Sequence, residues 1–123
     1  MHYAIVFLGG GIGAALRHGV NLAAARFGLA FPVGTLAVNV AGSFLMGVLV
    51  AYFALRGGID QHVRLLLTTG LLGGFTTFSA FSLDAALMWE KGAIDQLALY
   101  AGGSVLLAVA GLFAGMAAVR VLT

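Results

Sequence analysis

Polar residues are sparse along this chain, and they are not scattered evenly. Long apolar runs occupy residues 3–25, 33–55, 64–89 and 97–119. Each is near the ~20 residues that carry an α-helix across hydrocarbon. Charge and helix breakers gather between them: Arg26 with Pro32; Arg56, Gly57, Gly58, Asp60 and Arg64; then Glu90, Lys91, Gly92 and Asp95. Trp89 and Tyr100 lie near the ends of their runs, where rings favour the membrane–water boundary. The pattern predicts an all-α integral membrane protein, a single transmembrane domain over residues 1–123 with short connections.

The third run is the irregular one. Residues 70–81 read G-L-L-G-G-F-T-T-F-S-A-F. Glycine neither restricts nor shields the backbone, and threonine can bond back onto the preceding turn and bend it. A loosened backbone in hydrocarbon needs partners from protein, ion or water. Interrupted membrane helices therefore point to binding or permeation sites. The expectation is a third helix broken at about 73–77. The alternative is that Gly70, Gly73 and Gly74 only admit a neighbouring helix.

Polar residues inside the other runs form columns. Thr35, Asn39 and Ser43 recur every fourth residue, which stacks them on one helix face over about 12 Å. Tyr100 and Ser104 repeat the step. Thr76, Thr77, Ser79 and Ser82 surround Phe75, Phe78 and Phe81. Intramembrane polar groups are costly unless satisfied, so each is a candidate for function. Interhelical hydrogen bonding explains one such residue well, a set of facing columns less well. The hydroxyls and the Asn39 amide offer donors, and Phe78 and Phe81, on one face of the half-helix after the break, offer positive ring edges. The plain alternative for both rings is lipid contact or core packing.

Composition narrows the choice. The 123 residues are 62% hydrophobic and 8% charged, against ~25% charged in a soluble domain; mean hydropathy is +1.10. There is no cysteine, which excludes disulfides, thiolate metal sites and cysteine nucleophiles. A net charge of +2 is too small to argue for nucleic acid. No basic residue precedes the first run, which extends well beyond a signal's ~7–15 residues, so it reads as a retained helix. Cations are nearly balanced across the membrane: Arg56, Arg64 and Arg120 on the terminal side, Arg26, Lys91 and the snorkelling Arg17 on the other. Lysine and arginine asymmetry sets orientation. Balance therefore predicts insertion both ways up and an antiparallel, isologous dimer, the alternative being one orientation fixed by a weak bias. Gly9–Gly13 and Gly111–Gly115 have the spacing of close helix contact. The G-G-G-I-G-A-A-L-R run is not a dinucleotide loop, since no strand precedes it. A small proton-coupled transporter, such as a multidrug exporter, would need a buried carboxylate, and Asp84 is the one candidate.

Three stretches resemble the CrcB/Fluc fluoride channels: G-G-G-I-G-A-A-L-R at 9–17, G-T-L-A-V-N-V-A-G-S-F at 34–44 and G-L-L-G-G-F-T-T-F-S-A-F-S at 70–82. The last is the most specific. The resemblance implies a passive fluoride channel, not an enzyme, in the inner cell membrane, exporting cytoplasmic fluoride; the alternative is a small coupled transporter, a fluoride–proton antiporter or multidrug exporter. It implies a dual-topology homodimer with two pores and a structural Na⁺ held at its centre by main-chain carbonyls of Gly73 and Thr76. It implies a fluoride path along Asn39, Phe78 and Phe81, with Ser79, Thr77, Tyr100, Ser104 and Ser43 on the polar track and Arg17 at a vestibule. Ala80, Asp84, His18 and Ala108 depart from the family's frequent residues, threonine, glutamate, tyrosine and serine.

Overall fold

The structure is a computed structural model that describes residues 1–29 and 31–122. Among these residues every regular element is helical. Helix α1 is His2–Ala25 and α2 is Val33–Arg56. The third span, Gln61–Glu90, is composite. It begins as α3, Gln61–Leu65, widens into a π-helical segment, Leu66–Leu72, tightens again as α4, Gly73–Phe75, and resumes after a gap as α5, Phe78–Glu90. Helix α6 is Ile94–Leu122. Four spans are thus long and apolar enough to cross a membrane.

Local chemistry fixes the ends. Pro32 precedes α2, and its missing N–H is no loss where a helix start has spare donors. Gly57 ends α2 at φ 63°, a left-handed conformation that glycine adopts without strain. Asp60 caps α3 by accepting the His62 N–H at 3.1 Å. The third and fourth spans outrun their apolar stretches. Gln61 and His62 start α3, and Asp95 lies in the first turn of α6 with Arg120 in its last. Both charges suit the helix dipole at their ends, so polar termini extend a helix that hydropathy alone cuts short.

Two backbone-close pairings build the bundle. Helices α2 and α6 are clasped through glycine: a β-carbon on Gly115 would meet the Phe44 carbonyl and stand 2.9 Å from the Val48 nitrogen, and one on Gly47 would meet the Leu112 carbonyl. Helix α1 lies equally close on the π segment. A β-carbon on Gly9 would stand 2.8 Å from the Leu66 carbonyl, and one on Gly13 would strike the Leu71 carbonyl. Gly74 returns the contact, 2.9 Å from the Gly10 α-carbon on the same measure. Lipid tails are as apolar as leucine, so this van der Waals fit, not hydrophobic burial, holds the spans together. The buried set is accordingly small, with Val38 and Tyr100 the large side chains wholly inside, while Phe7, Phe78 and Phe113 project outward.

Candidate functional site

The third span leaves helical geometry at Thr76 and Thr77. Their φ/ψ angles are −87/160° and −154/123°, both extended. The interruption is narrower than the glycine-rich stretch suggests. Gly73 and Gly74 stay helical, and Gly74, with Gly70, serves contact with α1. Both readings of these glycines therefore hold in part: they admit a neighbour, and the chain breaks just beyond them.

A break in hydrocarbon strands backbone donors and acceptors, and side chains reclaim several here. The Thr77 N–H donates to Asn39 Oδ1 at 2.8 Å, while Asn39 Nδ2 donates to the Thr77 carbonyl at 2.9 Å. The Asn39 amide on α2 thus pairs with both backbone groups of one residue of the break, as a neighbouring strand would. Thr77 Oγ1 accepts the Ala80 N–H at 3.1 Å, capping α5. Its hydroxyl is also 3.3 Å from that of Ser79, with which it shares a hydrogen bond. Thr76 folds back, its N–H and its hydroxyl both donating to the Leu72 carbonyl at 3.0 Å. The Thr76 methyl lies against Gly42, where any β-carbon on α2 would collide with it.

These bonds have a consequence for the carbonyls of Gly73 and Thr76. Helical partners for them would be the N–H groups four residues on, those of Thr77 and Ala80. Both donate elsewhere. Gly73 is also exposed on the outer face. Main-chain oxygens released in this way suit a hard cation such as Na⁺. Among the described residues no group of three histidine, aspartate or glutamate side chains gathers to hold a metal.

Beside the break runs a groove of about 360 Å³. Its walls include Asn39 and Ser43 from α2, Gly73, Thr76 and Thr77 at the break, Phe78 and Phe81 from α5, and Ser104 from α6. Ser104 is the informative member. It is 9% exposed, and its hydroxyl has no hydrogen-bond partner among the described residues. A serine in a helix usually turns back to a carbonyl one turn earlier, and a buried, unmade bond costs about 1–3 kcal/mol. An unsatisfied donor facing a cavity in a membrane is what a ligand would complete. Phe78 and Phe81 stand 5.5 Å apart between centroids, and Phe81 is 5.0 Å from Tyr100.

Three expected residues lie off the groove. Tyr100 is buried behind it, donating its hydroxyl to Asp84 Oδ2 at 3.0 Å and meeting the Phe31 ring edge-on at 5.4 Å. Ser79 is exposed beside Thr77. Arg17 is half-buried on α1 and forms no ion pair among the described residues. The groove itself carries no carboxylate. Sequence reasoning missed two roles. Asn39 is a clamp as well as a donor, a role hidden because its partner is 38 residues away. Thr77 as an N-cap was readable, a threonine directly before a helical run.

An all-helical chain with four membrane-length spans, one of them opened beside a groove that bears several hydroxyl-carrying residues, is a multi-pass membrane protein. Comparison with known sequences gives the family. The CrcB-like protein, Camphor Resistance (CrcB) family matches residues 4–116. A protein of Rhodopseudomonas palustris (strain BisB5), named fluoride-specific ion channel FluC, is 59% identical over 124 aligned positions that cover both chains fully. One of Methylobacterium nodulans with the same name is 59% identical over 94% of each chain, and Nitrobacter hamburgensis FluC 2 is 59% identical across the whole of both. The chain belongs to the CrcB family.

Proposed function

We propose that this protein is a passive, fluoride-selective channel that lets cytoplasmic fluoride leave the cell, working as an antiparallel homodimer with two pores. The observation that carries the reading is the groove at the break, with the free Ser104 hydroxyl among its walls. Fluoride is small and strongly hydrated, so donors at close range must replace its water. Ser104, Ser43 and the remaining Asn39 N–H are such donors, and the rims of Phe78 and Phe81 add positive edges. Tyr100 stands behind Phe81 and holds it in place, while Thr77 and Ser79 extend the hydroxyl track. None of these carries a fixed charge, so the ion is not held too firmly to leave. Arg17 raises the local anion concentration at the mouth.

The groove is open on one side, and Phe78, 78% exposed, stands at its edge. An inverted second copy laid on this face closes the groove, and symmetry then makes two of them. The carbonyls of Gly73 and Thr76, with those of the partner, would hold one Na⁺ at the centre. A cation held there would offset the repulsion between carbonyl ends facing one another across the interface. The coupled-transporter reading is weaker, because Asp84 is tied to Tyr100 and lies off the groove.

Fluoride efflux from liposomes holding purified protein, with chloride as control, tests the proposal. Downhill fluoride loss without chloride loss, at a rate independent of a pH gradient, is expected. A rate driven by the pH gradient and abolished by Asp84→Asn would replace the channel with a coupled transporter.

A further inference from the structure

The spans end in a second feature, far from the break. Arg56 closes α2 and Arg120 lies in the last turn of α6. The glycine clasp fixes the register of these helices, and both arginines line one pocket of about 450 Å³ with Tyr52 and Leu55. Arg56 is already oriented: its Nε donates to the Tyr52 hydroxyl at 3.3 Å and its guanidinium stands 5.6 Å from that ring's centroid. Among the described residues no carboxylate lines the pocket. The nearest acid in sequence to Arg56, Asp60, is engaged with His62. Two cations are thus gathered, and among the described residues neither has a counter-ion. Arg56 is 14 positions beyond Gly42, about 21 Å along the helix from the break, which places the pair at the membrane boundary.

The geometry points to a binding site for the phosphate of an anionic phospholipid. Guanidinium groups match phosphate oxygens through paired N–H donors, Tyr52 suits the headgroup level, and Leu55, 56% exposed, offers apolar surface to an acyl chain. The balance of charge across the spans is unaffected by such a lipid, since the site is created by two side chains on one face and both leaflets present phosphate. Net charge decides the lipid: two guanidinium groups favour a headgroup with a net negative charge over a zwitterionic one.

Native mass spectrometry of the purified protein with defined lipids tests this. Phosphatidylglycerol should be retained in preference to phosphatidylcholine. The exposed double substitution Arg56→Gln with Arg120→Gln should cut that preference about 25-fold, ~5-fold for each cation removed. Arg64→Gln, on a different pocket under Phe53, should leave it unchanged. Equal retention of both lipids by the unaltered protein overturns the proposal without any variant. So does a double variant that keeps the preference, or an Arg64→Gln variant that loses it equally. Displacement of the lipid by millimolar inorganic phosphate would reassign the pocket to a free anion.

Discussion

Replacing Asn39 with alanine isolates the clamp. The substitution removes two hydrogen bonds, one in each direction, to the backbone N–H and carbonyl of Thr77. Thr77 is buried, 7% exposed, so its N–H and carbonyl lose their partners together. An orphaned buried group costs about 1–3 kcal/mol, which gives ~2–6 kcal/mol for the pair. Asn39 is only half-buried and the groove admits water, so the lower half of that range, ~2–4 kcal/mol, is the expectation. Ser43→Ala is the matched control. It removes a polar group one turn further along the same helix face, but the Ser43 hydroxyl makes no hydrogen bond among the described residues; its expected cost is within about 0.5 kcal/mol. Equilibrium unfolding in mixed micelles, followed by circular dichroism, reads both. Equal stability of the two variants would refute the clamp and leave Asn39 as a groove donor alone.

The other expectations concern packing and transport. Gly13→Ala drives a methyl into the Leu71 carbonyl and should destabilise by ~1–3 kcal/mol, whereas Gly11→Ala, which meets open space, should be neutral or gain up to about 1 kcal/mol in helix propensity; thermal unfolding separates them. Ser104→Ala should leave the fold intact or slightly steadier, because it deletes an unpaired buried hydroxyl, and should slow fluoride efflux about tenfold, the equivalent of one lost donor. Phe78→Ile should leave monomer helicity unchanged, since the ring is outside the single chain's packing, yet abolish fluoride efflux. Exhaustive removal of sodium should weaken dimer order or flux; a protein indifferent to the cation would count against Gly73 and Thr76 as its ligands.

Much of the architecture was legible because the bilayer demands it. Runs of apolar residues must be helices, and glycines four apart must lie where helices touch, as Gly9 and Gly13 do. The polar columns were legible for the same reason, and Asn39, Ser43 and Ser104 do meet at one groove. What periodicity could not supply was the tertiary use of each polar atom. It did not reveal that the carboxylate of Asp84 meets Tyr100, 16 residues away. Nor did it reveal that the glycines before Thr76 stay helical while the two threonines carry the break. A glycine permits disorder of the helix without requiring it. Asn39 provides the alternative partner that makes an extended Thr77 satisfiable.

The central claim is that an opened third span offers a charge-free donor path for fluoride. The current across a planar bilayer holding the purified protein, under a tenfold fluoride gradient with chloride as the balancing anion, tests it most directly. The account predicts reversal at the fluoride equilibrium potential, about 59 mV from zero, unmoved by a superimposed pH gradient. Reversal near zero, or a potential that follows the protons, would contradict it.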